Sequence, residues 1–322
     1  MSHTMICLIG EQPIPNLLPV LHFRPASVLL VHSSFTERVA NRLTAVVAKA
    51  LPGTTVQNCL VDAYDVAEIY QKMAAAVGAQ TGTELLVNLT GGTKPMMLAG
   101  FQLALARKTP SFYFKSEGLL NEIYFFQETS LPVPSTLPVP FDTTLTIDLH
   151  AAAFGQVREA PKKEPGKQEV FEVAVAAALQ AAVPTLFDEV VAGARFGGLV
   201  QIDVIVRWRN QIVFCEVHHQ DLDKKAQRMP PKDVFANLKP KLDQLSTASG
   251  RDFFGTYIKK AVIFAGTEKH RHKDYLALSK AQNVTTIPLT FQPAADDANP
   301  SLTPEVQASL LEQLSRIVKP GR

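Results

Sequence analysis

The chain has 322 residues, 46% of them hydrophobic and 19% charged, with a formal net charge of +2, which excludes a disordered protein and leaves room for two domains with separate cores. Cys7, Cys59 and Cys215 stand far apart in apolar runs, pointing to buried thiols in a reducing cytoplasm rather than to a disulfide framework or zinc site. The opening MSHTMICLIG lacks a basic region and a long apolar core, and no run reaches the roughly 18 apolar residues of a membrane span, so neither secretion nor membrane insertion is expected.

The first 130 residues alternate β-rich runs (MICLIG, SVLLVHS, TTVQNCLV, ELLVNLT, SFYFKS) with helix-like stretches such as TERVANRLTAVVAKAL and VAEIYQKMAAAVGA. This pattern predicts an α/β domain with a mostly parallel sheet. In such sheets ligands sit beyond the carboxyl ends of the strands. Gly10, Ser33 and Thr90 each follow a strand-like run, so three loops are expected to meet at one rim.

The fourth of these runs ends in LLVNLTGGTKPMMLAG, residues 85–100. The glycines are adjacent and Pro95 follows Lys94, so the spacing is not that of a Walker loop. Adjacent glycines allow a tight turn, Pro95 suits a first helical position, and exposed N–H groups with Lys94 favour an anion such as a phosphodiester. A glycine turn leading into a capped helix, with a solvated lysine, accounts for the same residues.

Proline-rich LPVPSTLPVPF and charged REAPKKEPGK fall within residues 131–168 and place a domain boundary near 150–165. Residues 1–160 hold 10 Lys/Arg against 12 Asp/Glu, and residues 161–322 hold 22 against 18. So small an excess fits a polyanion partner and a solvated surface equally.

Beyond the boundary, KQEVFEVAVAAALQAA predicts a helix with Glu169 and Glu172 in its first turn. GLVQIDVIVRWRNQIVFCEVHHQ, residues 198–220, reads as a hairpin turning at Arg209-Asn210. With that turn Trp208 pairs with Gln211, and counting back sets Asp203 opposite Glu216. Opposed carboxylates repel unless a cation neutralises them, and a hard divalent ion takes such oxygen donors. A bulge or longer turn would instead let each acid face solvent or pair with Arg207 or Lys224. A third acid such as Glu169 would complete a site for Mg²⁺ or Mn²⁺.

LIGEQPIPNLLPVLHFRPASVLLVHS together with VNLTGGTKPMMLAG resembles the CARF (CRISPR-associated Rossmann fold) sensor domain of type III CRISPR effector nucleases. The second half resembles their PD-(D/E)xK, restriction-endonuclease-like domain, through the helix at Glu169, the QID strand at Asp203, the CEV strand at Glu216 and a helix around KLDQL, residues 241–245. The resemblance implies a sensor at 1–130, a connecting segment at 131–165 and a nuclease-like domain at 166–322. It implies a homodimer that binds a cyclic oligoadenylate, cyclic tetra-adenylate foremost, across a two-fold axis, and a metal-dependent nuclease acting on RNA or DNA in antiviral defence. Gly10, Glu11, Gln12, Ser33, Ser34, Thr90, Gly91, Gly92, Thr93 and Lys94 are the implied ligand contacts. Glu169, Asp203 and Glu216 are the implied metal ligands. The family lysine two residues after Glu216 is His218 here, which can bond or deprotonate a water but is mostly neutral at pH 7. Lys239 or Lys241 can supply the missing charge or be ordinary surface lysines, and His219 belongs to the opposite strand face. A sensor joined to an inactive nuclease fold is the alternative that His218 raises. Ring opening by the sensor itself is a third, carried only by Ser33 and Ser34.

Overall fold

The structure, a computed structural model, describes residues 3–79, 84–117, 120–126, 135–138, 145–159, 170–196, 200–209, 211–219, 258–265, 284–289 and 301–318. The chain gathers into two compact units, Met1–Leu145 with Ala152–Gly155, and Thr146–Ala151 with Gln156–Arg322.

The first unit holds strands β1 (Thr4–Leu8), β2 (Ser27–His32), β3 (Thr55–Leu60), β4 (Leu85–Asn88), β5 (Ser111–Glu117), β6 (Leu120–Phe126) and β7 (Ser135–Pro138). Their order is β3-β2-β1-β4-β5-β6-β7. Pairing is parallel from β3 to β5 and antiparallel at β5–β6 and β6–β7. Helices α1 (Ile14–Phe23), α2 (Glu37–Ala50), α3 (Val66–Val77) and α4 (Lys94–Arg107) connect the parallel strands. The order reverses between β1 and β4, the switch point of a Rossmann-like sheet. The central strands are buried on both faces, as parallel strands covered by helices must be, and Ile6, Leu8, Val31, Val87, Ile69, Met73, Met96 and Leu103 share one core cluster. Helix α2 buries Ala40, Leu43, Val46 and Val47 along one stripe.

The second unit holds β8 (Arg158–Glu159), β9 (Glu189–Phe196), β10 (Val200–Trp208), β11 (Gln211–His219), β12 (Ile258–Ala265) and β13 (Thr285–Leu289), ordered β13-β12-β11-β10-β9-β8. β8 to β11 are antiparallel, whereas β11–β12 and β12–β13 are parallel. Helices α6 (Val170–Gln180) and α7 (Pro304–Val318) pack Val175, Leu179, Leu310 and Leu314 with Val204, Val206, Val213, Cys215, Val217 and Ile263. A separate cluster joins Ile205, Ile212 and Phe214 to Ile147 and Ala151 of α5 (Ile147–Ala153).

The expected connecting segment at 131–165 is thus partly structured: β7 joins the first sheet, while most of α5 and all of β8 belong to the second unit. The apolar residues of IDLHAAA explain this, because Ile147 and Ala151 bury against the sheet. Glu169, Lys224, Lys239, Lys241, the expected helix at 241–245 and most of the expected linker lie outside the described residues.

Candidate functional site: a cleft at the switch point and a carboxylate pair

Four loops at the carboxyl ends of β1, β2, β3 and β4 border a cleft of about 860 Å³. Gly10, Glu11, Gln12, Ser33, Ser34, Thr90, Gly91, Gly92 and Thr93 all line it, with Phe35, Asp62 and Tyr64. Lys94 does not line it; it is exposed at the first residue of α4. The loop after β3 was missed in the sequence, because its place depends on strand order rather than on any glycine or hydroxyl signal.

Local packing explains the glycines. A Cβ on Gly91 would overlap the Leu8 carbonyl oxygen, Gly92 has φ +72°, and a Cβ on Gly10 would stand 3.2 Å from the Gly92 nitrogen. The loops after β1 and β4 therefore approach backbone to backbone, which side chains would prevent. Buried Asn88 fixes this junction. Its Nδ2 donates to Pro15 O at 3.2 Å and Asn16 Oδ1 at 3.0 Å, while Asn16 Nδ2 donates to Leu8 O at 3.0 Å.

The hydroxyls of the loop have structural partners. Thr90 Oγ1 donates to Asn88 Oδ1 at 2.5 Å and accepts from the Phe114 N–H at 2.7 Å. Thr93 caps α4, accepting from Met96 N at 3.4 Å, and donates to Ala63 O at 2.6 Å, tying this loop to the one after β3. Ser33 is buried with its N–H on Thr36 Oγ1 at 3.1 Å, whereas Ser34 is exposed. What the glycine loop offers a ligand is its peptide groups at the start of a 14-residue helix, a place suited to an anion. The lining also includes the carboxylates of Glu11 and Asp62 and, among the described residues, no Lys or Arg. These acceptors suit amino and hydroxyl donors better than phosphate. Burial pushes the Cys7 thiol up to about 12, although its bond to Asn88 works the other way, so this thiol is inert.

In the second unit Trp208 pairs with Gln211, as the two-residue turn predicts, and the ladder runs on to Val204 and Cys215. Arg209 takes φ +57° at the turn and lays its guanidinium over the Trp208 ring at 4.3 Å. One step beyond Val204 and Cys215 come Asp203 and Glu216. Asp203 Oδ2 accepts from the Val217 N–H at 2.8 Å, which ties it to the strand carrying Glu216, itself only 1% exposed. Burial pushes the Cys215 thiol up, and the charges of Asp203 and Glu216 push it further. His218 shares a strand face with Glu216 by alternation, and its ring stacks on Phe264 with centroids 6.2 Å apart and planes at 18°. Both carboxylates act on Cys215, and carboxylate oxygens are the donors a hard divalent cation takes. Among the described residues no cluster of three His, Cys, Asp or Glu forms a complete site, and Glu169 lies just before the described start of α6.

A Rossmann-like domain with a cleft at its switch point, followed by a mixed sheet bearing Asp203 and Glu216, defines the chain. Residues 4–133 match the family model described as the Card1 CARF domain. Three solved structures share the fold. Can2 from Sulfobacillus thermosulfidooxidans, solved with cyclic tetra-adenylate, is 15% identical with TM-score 0.67, over 98% of this chain and 99% of that one. Protein VC1899 from Vibrio cholerae is 11% identical with TM-score 0.65, over 98% of each chain. A type III CRISPR defence DNA nuclease activated by cyclic oligoadenylate is 16% identical with TM-score 0.65, over 100% of this chain but 53% of that one. No curated protein matches the chain.

Proposed function

We propose that the protein is a cyclic-oligoadenylate-activated, metal-dependent nuclease of type III CRISPR defence, acting as a homodimer. The observation that carries this reading is the cleft at the β1/β4 switch point of the CARF domain, lined by nine of the ten expected contacts. Can2, alike in fold over nearly its whole length, was solved with cyclic tetra-adenylate. A ring of phosphodiesters has no terminal triphosphate, so peptide N–H groups at a helix start suit it better than a Walker loop. Exposed Lys94 adds a cation beside the cleft, and a two-fold ring suits an isologous pair of chains.

In the second, restriction-endonuclease-like unit, Asp203 and Glu216 would hold Mg²⁺ or Mn²⁺, with Glu169 as the third acid. The ion, when bound, supplies Lewis-acid stabilisation and a more acidic water. His218 orients the attacking water and takes its proton at a ring nitrogen, while the stack on Phe264 fixes the ring plane. One observation favours a second reading, a sensor with an inactive nuclease fold: His218 stands where the family has lysine and packs against the sheet.

The test is Asp203→Asn. We expect it to abolish cleavage of RNA and DNA and to leave ring binding unchanged. Melting gives a second readout: at Mn²⁺ one hundredfold above Kd the wild type gains about 2.7 kcal/mol, and the variant much less. Full activity together with the full Mn²⁺ shift in Asp203→Asn would place the metal elsewhere.

A further inference from the structure

We infer that Phe35 and Tyr64 form an aromatic clamp that stacks on the purine bases of the ligand, so that the cleft reads bases on one wall and phosphodiester on the other. The inference rests on the sensor reading above.

Phe35 is 77% exposed and Tyr64 75% exposed, the two highest values among the described large hydrophobics of the first unit. Both line the same cleft. They occupy equivalent places in the fold. Phe35 directly precedes Thr36, the N-cap of α2, and Tyr64 directly precedes Asp65, the N-cap of α3. An apolar residue just before an N-cap ordinarily folds back onto the fourth helical residue and closes the helix end. Those residues are Ala40 and Ile69, both fully buried, yet both aromatic rings stand away in solvent. Repeating this departure on two neighbouring loops removes the usual structural reason for either ring.

The loops themselves are fixed. β2 and β3 are parallel neighbours in register at His32 and Leu60, so residues 35 and 64 lie three and four positions beyond one paired level. Thr36 N donates to Ser33 O at 3.1 Å, Tyr64 N donates to Asp62 Oδ1 at 2.8 Å, and Thr93 Oγ1 holds Ala63 O. Exposed rings on pinned backbone form a preorganised surface with little ordering left to do on binding. Flat π faces suit nucleobases of a single-stranded ligand. The peptide groups of Gly91 and Gly92 border the same cleft and suit phosphate, and Asp62 and Glu11 supply acceptors for the adenine amino group or ribose hydroxyls.

Calorimetry with cyclic tetra-adenylate on the full chain tests the clamp, using Phe35→Ala, Tyr64→Ala, Tyr64→Phe and Phe35→Trp. The expected result is about a tenfold loss of affinity for each alanine variant, affinity within about twofold for Tyr64→Phe, and quenching of the added tryptophan's fluorescence when the ring binds Phe35→Trp. Unchanged affinity in both alanine variants overturns the clamp while leaving the sensor reading in place. A shift in oligomeric state in either alanine variant, seen by sedimentation without ring, also overturns it by assigning these rings to a contact between copies. A wild type that binds no ring overturns the sensor reading and the clamp with it.

Discussion

Gly91 carries the most exacting steric demand in the cleft, because any Cβ there meets the Leu8 carbonyl and the Asn16 amide. Gly91→Ala must push the loop off β1, and overpacking of this kind costs about 1–3 kcal/mol or more. We expect a stability loss of at least that size in urea unfolding, together with weaker ring binding; a variant as stable as wild type would show that the β1 and β4 loops are not in contact. The need for tightness at the two glycines was legible in the sequence, but its cause was not. Thr90 and Thr93 read as ligand hydroxyls because their partners are distant or turned inward: Phe114 is 24 positions away and Ala63 is 30. Phe35 and Tyr64 gave no signal either, since an aromatic before an N-cap predicts burial and only their exposure contradicts it.

At the scale of elements, the hairpin that bears Asp203 and Glu216 is anchored at its turn end by a buried charge cluster. Arg207, 2% exposed, donates from Nε to Glu189 Oε2 at 3.1 Å and from Nη1 to Arg209 O at 2.9 Å, and lies 3.4 Å from Asp188 Oδ2. Glu189 Oε2 also accepts from Ile147 N–H at 2.7 Å, fixing the start of α5, and Asp188 accepts from Arg209 N–H. Removing one member of such a cluster strands the others. Arg207→Ala is expected to cost about 2–3 kcal/mol, below the full buried-pair value because both carboxylates are about a quarter exposed; a change under about 0.5 kcal/mol in denaturant unfolding would mean that the cluster does not hold the hairpin. The hairpin itself was readable because both strands are β-branched and meet at a two-residue turn. The five parallel strands and helices α2 and α3 were readable from periodicity. Helix α1 was not, since Pro13, Pro15 and Pro19 mark a loop by composition, although the first two sit harmlessly at its start. β9 was hidden by Gly193, which takes φ +61° within it.

For the whole molecule, the proposed function needs a cleft that takes a cyclic oligonucleotide and acids that hold a divalent cation on one chain. Among the described residues no helix is long and apolar enough to cross a membrane. The strand order that assembles four loops into one cleft, β3-β2-β1-β4, is a property of connectivity, and no local stretch of sequence states it. This is why three of the four loops, but not the fourth, were foreseen.

The most direct measurement incubates the full chain with labelled RNA and DNA, Mn²⁺ or Mg²⁺, and cyclic oligoadenylates of different ring size. The proposed function predicts cleavage that requires both the metal and a ring, with cyclic tetra-adenylate the effective size. Cleavage that proceeds equally without any ring, or no cleavage under any combination, would contradict it.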